Sequence, residues 1–261
     1  MLCIRVFARL ALYEFIHFEE FVMTAHRLAT TPIASTVSQA LTRVVDLVPR
    51  GYVFATQGEC LASKAEALAR KFHARYGIGL SPAQRTLRRQ RGQANAMLVM
   101  YWPGRVKQQE HGTSAEVATS DAVTETPAEE RVRWLLLVTE GAGPVHEREQ
   151  LRDLRQDRLV WLGYELLRSG AKASWTFRRT KAEMEALHVL IADQLNRKQY
   201  PALAATLQRI ARQPGFAGVR KQSWSLFHAA RTKGWSGEWP HLYFIQKVGH
   251  GALIVVGEDI R

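Results

Sequence analysis

The sequence predicts an α+β protein in which a sheet-forming region is followed by a helical one. Before about residue 179, short apolar runs typical of strands alternate with amphipathic segments. From Thr180 onward, apolar residues recur at the three- and four-residue spacing of helices, and two apolar runs close the chain. The apolar fraction of 46% in 261 residues is sufficient for a buried core.

Residues 1–49 are interpreted as an N-terminal helical segment. Interspersed arginines and glutamates divide its apolar residues into runs far shorter than the ~20 residues of a membrane span. The segment also lacks the continuous apolar centre of a signal peptide, and Met23 offers an alternative start. Because Cys3 and Cys60 are the only cysteines, a reducing, cytoplasmic location without membrane contact is expected.

Residues 50–179 are predicted to form a basic sheet domain. The first elements are a strand at 51–56 and an amphipathic helix at 63–78. A short helix then starts at Ser81-Pro82, where serine suits the N-cap and proline the first helical position.

A low-complexity segment, residues 105–130, separates the apolar runs 94–102 and 132–140. It holds two basic and six acidic side chains and too few apolar ones to offset the entropy of ordering, so a mobile acidic loop is predicted. The flanking runs are then neighbouring strands joined by a long hairpin loop. The alternative is a linker between domains.

The rest of this domain is predicted as a short charged helix at 145–154 and two strands, 158–167 and 173–180. The complete order, strand–helix–(helix)–strand–strand–helix–strand–strand, resembles a ferredoxin-like layer of helices on an antiparallel sheet.

Residues 180–261 are predicted to form three helices and a β-hairpin. Thr180 and Glu183 have the spacing of a capping box, and Pro201 suits the first turn of a second helix. A third helix covers about 217–233, and Gly249-His250-Gly251 indicates the hairpin turn. This order resembles a winged helix-turn-helix over 180–257; the alternative is that the helices cap the sheet and the last strand joins it.

The net charge of +12 indicates a polyanionic partner. Outside the acidic loop, 34 basic and 18 acidic residues leave +16 on the remainder of the chain. A positive field of this kind attracts nucleic acid. A merely soluble basic protein and a scaffold for an acidic protein partner are the alternatives.

The densest charge is the run of arginines in the short helix: Arg85, Arg88, Arg89 and Arg91. The first three have i, i+3, i+4 spacing and share a face, and no acidic residue lies between Ser81 and Trp102. Guanidinium groups bind phosphate in bidentate geometry, so this face is predicted to contact phosphates. We further hypothesise that the acidic loop folds across these arginines as an intramolecular mimic of the nucleic-acid backbone.

A second basic group is predicted around the third C-terminal helix. In a winged helix, that helix enters the major groove, and the wing approaches the backbone. The predicted contacts are Arg220, Lys221, Gln222, Arg231, Lys233 and Lys247. The alternative is an ordinary polar helix face. Aromatic residues in the predicted strands are interpreted mainly as core, because large rings dominate buried area. The alternative is that they are exposed on a sheet face and stack on unpaired bases.

Motifs for catalysis are absent from the sequence. His146-Glu147 begins a metalloprotease-like pattern, but Gln150 stands where the second histidine is needed. No phosphate-binding glycine loop and no nucleophile motif occurs, so no cofactor and no metal are expected. In basicity and predicted element order, the chain resembles ferredoxin-like endoribonucleases that process CRISPR repeat RNA, but it lacks their glycine-rich loop near the C-terminus.

The predicted function is nucleic-acid binding without catalysis, with DNA favoured over RNA by the C-terminal element order. A metal-independent endoribonuclease is the first alternative. The basic scaffold for an acidic protein partner is the second.

Overall fold

A computed structural model describes residues 29–104, 130–169, 174–244 and 253–257. Within these ranges the chain has the mixed α+β architecture that the sequence predicts. A six-stranded sheet forms its centre, with strand order β5-β2-β4-β3-β1-β9. The strands are β1 Ala29–Ala34, β2 Phe54–Leu61, β3 Ala96–Tyr101, β4 Arg131–Val138, β5 Arg152–Asp153 and β9 Leu253–Gly257. Neighbouring strands are antiparallel except β1 and β3, which are parallel.

A second, three-stranded antiparallel sheet contains β6 Val160–Trp161, β7 Tyr164–Arg168 and β8 Trp175–Arg179. The helices are α1 Val37–Leu47, α2 Ala62–Tyr76, α3 Pro82–Gln90, α4 Pro144–Arg148, α5 Lys181–Asn196, α6 Tyr200–Ala211 and α7 Ala217–Thr232. A 3-10 turn, Val48–Arg50, follows α1. None of the helices in the described ranges is long and apolar enough to cross a membrane.

The middle of the central sheet is buried on both faces, and successive side chains of a strand point to opposite sides. In β4, Val132, Leu136 and Val138 pack on the side of α2, with Phe72 of that helix. Leu135 and Leu137 pack on the other side, against α1 and the small sheet. A third apolar cluster lies within α5, α6 and α7, where Leu203, Leu226 and Phe227 have no exposed surface.

The long connection after β3 joins two adjacent strands, as predicted. Ala96 to Tyr101 pair antiparallel with Val138 to Arg133. The connection is therefore a hairpin loop within one sheet, and the linker interpretation is wrong. The predicted acidic loop lies outside the described residues up to 129. Glu130, its last residue, accepts hydrogen bonds from the indole of Trp102 and the backbone N–H of Gly104.

The ferredoxin-like arrangement is not confirmed. The run 158–167 does not form one strand, because Leu162 and Gly163 both have positive φ and make a two-residue turn between β6 and β7. The resulting hairpin pairs with β8 in the separate small sheet. In addition, β1 lies within the segment 1–49, for which the sequence indicates a helix; of that segment, residues 1–28 lie outside the described residues.

The three predicted C-terminal helices are confirmed as α5, α6 and α7, with Pro201 in the first turn of α6. The winged-helix arrangement is not confirmed. Leu253 to Gly257 pair antiparallel with β1 of the large sheet, which is the alternative in which the last strand joins the sheet. The predicted glycine turn and Lys247 lie outside the described residues.

Candidate nucleic-acid interface

Helix α3 begins as predicted. The Ser81 hydroxyl accepts a hydrogen bond from the Gln84 backbone N–H, and the Gln84 side chain accepts one from the Ser81 N–H, which completes a capping box. Pro82 occupies the first helical position. The cap fixes the helix axis, and therefore the direction in which the four arginines project.

The side chains of Arg85 and Arg88 form hydrogen bonds with backbone carbonyls at and just after the end of α2. Arg85 Nη2 donates to the carbonyl oxygen of Ile78 at 3.1 Å, and Arg88 Nη1 donates to that of Tyr76 at 3.3 Å. Both side chains are partly buried, and burial lowers the pKa of each guanidinium from its ordinary value. Their Nε atoms are buried and have no hydrogen-bond partner among the described residues.

Arg89 and Arg91 are the exposed members of the group. Arg89 Nη2 donates to the carbonyl oxygen of Arg50 at 3.1 Å, which joins α3 to the turn after α1. We call Arg50, Arg85, Arg88, Arg89 and Arg91 the arginine surface.

Tyr52 follows the 3-10 turn that contains Arg50, and the charge of the arginine surface acts on it. Its ring is buried, and burial raises the pKa of the phenol. The positive charges of Arg85, Arg89 and Arg50 act on the phenol in the opposite direction. The phenol therefore experiences the positive charge of the arginine surface.

The arginine surface contains a single ion pair within the described ranges, Arg50 with Asp46 at 2.7 Å. Partly buried charges are normally paired with an opposite charge. Arg85 and Arg88 donate to carbonyl oxygens but to no carboxylate of the described residues, so an anion brought to this surface meets uncompensated positive charge.

The predicted base-reading residues at the start of α7 divide into two groups. Gln222 faces inward: its side chain accepts a hydrogen bond from the Arg179 N–H at 2.7 Å and donates to the Arg179 carbonyl at 3.0 Å. Because the Gln222 amide is paired with both backbone groups of Arg179 in β8, it is not available to form hydrogen bonds with a base. Arg220 and Lys221 lie on the other side, beside a groove.

The groove has a volume of about 630 Å³ and lies between α7 and residues 239–244. Its wall includes Trp224, Trp239 and Phe244, which were not among the predicted site residues. Arg231 lies over the Trp239 ring, 4.6 Å from its centroid, and Lys233 is exposed at the end of the helix. The sequence does carry a signal for this face, since positions 220, 224, 228 and 231 have i, i+4, i+8, i+11 spacing.

The small sheet carries a basic surface that is mostly neutralised. Buried Glu165 accepts hydrogen bonds from Arg178 at 2.7 Å and Arg158 at 3.1 Å. The hydrogen bond from Arg178, aided by both positive charges, holds the pKa of Glu165 below its usual value of 4.5, against the opposing effect of burial.

Glu165→Gln is expected to lower the free energy of unfolding at neutral pH by about 1.5–3 kcal/mol, because it weakens hydrogen bonds to charged groups. A carboxylate whose folded pKa is lowered stabilises the fold above its unfolded pKa, and this contribution is lost as the pH falls through the folded pKa. The difference between wild type and variant should therefore shrink on acidification from about pH 7 to about pH 3 in urea titrations. A difference that stays constant over this range would contradict the assignment.

Within the described ranges, no three His, Cys, Asp or Glu side chains are grouped as metal ligands. Comparison with protein-family models, with curated proteins and with solved structures gave no match to this chain. Function is therefore inferred from the residues themselves.

Proposed function

We propose that this protein binds nucleic acid and that the arginine surface contacts its phosphates. The observation that carries the proposal is the arginine group of α3, joined to Arg50 by the hydrogen bond from Arg89, in which Arg85 and Arg89 are paired with no carboxylate of the described residues. Phosphate supplies the missing negative charge and accepts guanidinium hydrogen bonds in bidentate geometry.

The four arginines of α3 have different roles in this proposal. Arg85 and Arg88 are held by backbone carbonyls, so they contribute a fixed positive field and brace the helix. Arg89 and Arg91 are exposed. Arg91 can reach a phosphate directly, and Arg89 can do so with the N–H groups that it does not donate to the Arg50 carbonyl. Such contacts give affinity without sequence preference, because every phosphate presents the same oxygens.

The test is the salt dependence of affinity. The full chain would be titrated into labelled single-stranded and duplex DNA and RNA of one length, and binding measured by fluorescence anisotropy at several salt concentrations. Log affinity should fall linearly with log salt. Arg89→Gln combined with Arg91→Gln should flatten the slope by about two, which is about one for each phosphate that the variant no longer binds.

The matched control is Lys64→Gln with Lys71→Gln. It removes the same charge from exposed positions of α2 that form no ion pair in the described part of the chain. Equal slopes for the two double variants would show that net charge alone determines binding, and would overturn the assignment to α3. Failure of the wild type to bind any of the four ligands at low salt would overturn the proposed function.

The same purified protein also tests the two alternative functions, the endoribonuclease and the scaffold for an acidic protein. Cleavage of a hairpin RNA in the presence of EDTA would support the metal-independent endoribonuclease. Retention of an acidic protein after nuclease treatment would support the scaffold. The DNA and RNA titrations decide which polymer is preferred, since the winged-helix order that favoured DNA is not confirmed by the fold.

A further inference from the structure

Several large aromatic side chains in and next to the groove beside α7 are unusually exposed to solvent. Trp224 is 46% exposed and Phe244 is 61% exposed, and Tyr243 next to it is 54% exposed. Large rings are usually buried because they carry the largest apolar area. A concentration of partly exposed rings in one concave surface indicates a site for a flat or apolar ligand.

The rings are held in place by one another. Trp239 lies 5.5 Å from Phe227, which is fully buried, and 6.1 Å from Trp224. His228 also lies 6.0 Å from Trp224, at a shallow angle of 34°. This packing fixes the Trp224 ring at the groove before any ligand arrives, which lowers the entropy cost of stacking a ligand on it.

Positive charge accompanies the rings. The Arg220 guanidinium lies 3.6 Å from the centroid of the Phe244 ring, and Lys221 is exposed beside it. Within the described ranges, neither residue forms an ion pair, nor does Arg231. A ligand of this groove therefore needs planar apolar groups and negative charge together.

Unpaired nucleotides have both properties, because each carries a base with two open π-faces and a phosphate. In a duplex the bases are stacked on one another and their faces are closed. Proteins that hold single strands combine cationic grooves with aromatic side chains in this manner. An apolar peptide would cover the rings but bring no negative charge to Arg220 and Lys221.

We propose that the groove between α7 and residues 239–244 stacks unpaired bases of a single-stranded nucleic acid. The bases stack on Trp224 and Phe244, and Arg220 and Lys221 bind the adjoining phosphates. This proposal rests on the proposed function and adds to it a preference for single strands over duplex. The arginine surface contacts backbone in either form, whereas the groove accepts only an unpaired base.

The experiment compares a labelled oligothymidylate with a duplex of equal length, using the full chain. Wild type is expected to bind the single strand more tightly, and part of its tryptophan emission should be quenched by the bases. Trp224→Ala and Phe244→Ala should each weaken single-strand binding about 5- to 100-fold, with little change for duplex. Trp224→Phe keeps a stacking face, so it should retain affinity within about twofold while losing part of the quench.

Two controls match the variants in chemistry and lie outside the groove. Tyr200→Ala removes an aromatic ring of similar exposure, 47%, from the start of α6. Arg209→Gln removes an exposed charge from the same helix and is compared with Arg220→Gln. Circular dichroism and thermal unfolding of each variant establish that weaker binding does not come from unfolding.

The outcomes distinguish this proposal from the general function. Equal affinity for single strand and duplex, with Trp224→Ala unchanged, overturns the stacking site while leaving nucleic-acid binding intact. Absence of binding to both ligands at low salt overturns the proposed function as well. Tighter binding of a proline-rich peptide than of the oligothymidylate would show that the groove is a peptide site, and this too overturns the proposal.

Discussion

Replacing Arg179 with methionine is expected to lower the free energy of unfolding by about 2–4 kcal/mol. Arg179 is only 1% exposed, at the end of β8. Its guanidinium donates to the Gln213 side chain, to the Ser223 hydroxyl at 2.9 Å and to the carbonyl oxygens of Val219 and Ile210. Methionine fills much of the volume but removes the donor from the Gln213 side chain and the Ser223 hydroxyl. The carbonyl oxygens of Val219 and Ile210 each lose one donor and keep another, from the Ser223 hydroxyl and the Gln213 backbone N–H.

The Arg179 side chain also determines how the small sheet meets the helices. It joins the end of β8 to the end of α6 and the first turns of α7. Burial lowers the pKa of this guanidinium, while the charge of Glu183 acts in the opposite direction. An arginine remains charged at neutral pH, so the fold holds a buried cation by neutral oxygens.

Chemical denaturation with urea measures the expected decrease. The control is Arg168→Met on the neighbouring strand β7, where the arginine is exposed, and it should change stability by no more than about 0.5 kcal/mol. A decrease below about 1 kcal/mol for Arg179→Met would mean that the acceptors find other donors or water, and the assigned role of Arg179 would be wrong.

Gly218→Ala is expected to destabilise the protein by about 1–3 kcal/mol through overpacking. Gly218 lies in the first turn of α7, and an added Cβ would meet the carbonyl oxygen of Phe177 at 2.5 Å and Cβ of Arg178 at 3.1 Å. The Gly218 N–H also donates to the Thr176 hydroxyl at 3.3 Å. Because the nearest obstacle is backbone, the helix itself must move away from β8.

A loss of stability in Gly218→Ala is opposite to the effect expected of this substitution at an uncrowded helix position. In a helix without that contact, alanine in place of glycine would be neutral or would stabilise by up to about 1 kcal/mol. Thermal or urea unfolding of Gly218→Ala therefore reports directly on the close approach of α7 to β8. Ser225→Ala, an exposed change in the same helix, is the control and should leave stability nearly unchanged. A stabilised Gly218→Ala protein would place α7 farther from the sheet than the structure does.

Much of the local structure follows from the sequence. The capping box of Ser81 and Gln84, Pro201 in the first turn of α6, and the apolar spacing of α7 are short-range features. They depend on residues within one or two helical turns, so a single sequence is enough to identify them. The uneven charge, +12 with a dense run of arginines, is likewise readable directly.

The candidate site was only partly predictable for the same reason. The arginines of α3 are visible in the sequence, but their partners are not: Arg85 and Arg88 are held by carbonyls after α2, and Arg89 by the turn after α1. The inward direction of Gln222 depends on β8, 43 residues away. Trp224, Trp239 and Phe244 form one groove because the chain after α7 folds back along that helix.

The sequence by itself determined most of the helices, the cap of α3 and the sign of the charge, because these depend on neighbouring residues and on composition. Only the tertiary structure decided that the small sheet separates from the large one, that the last strand pairs with β1, and which polar side chains remain free. Strand pairing and side-chain partners depend on contacts between residues distant in sequence. Many such pairings satisfy the same local pattern, and the burial of the whole core selects among them.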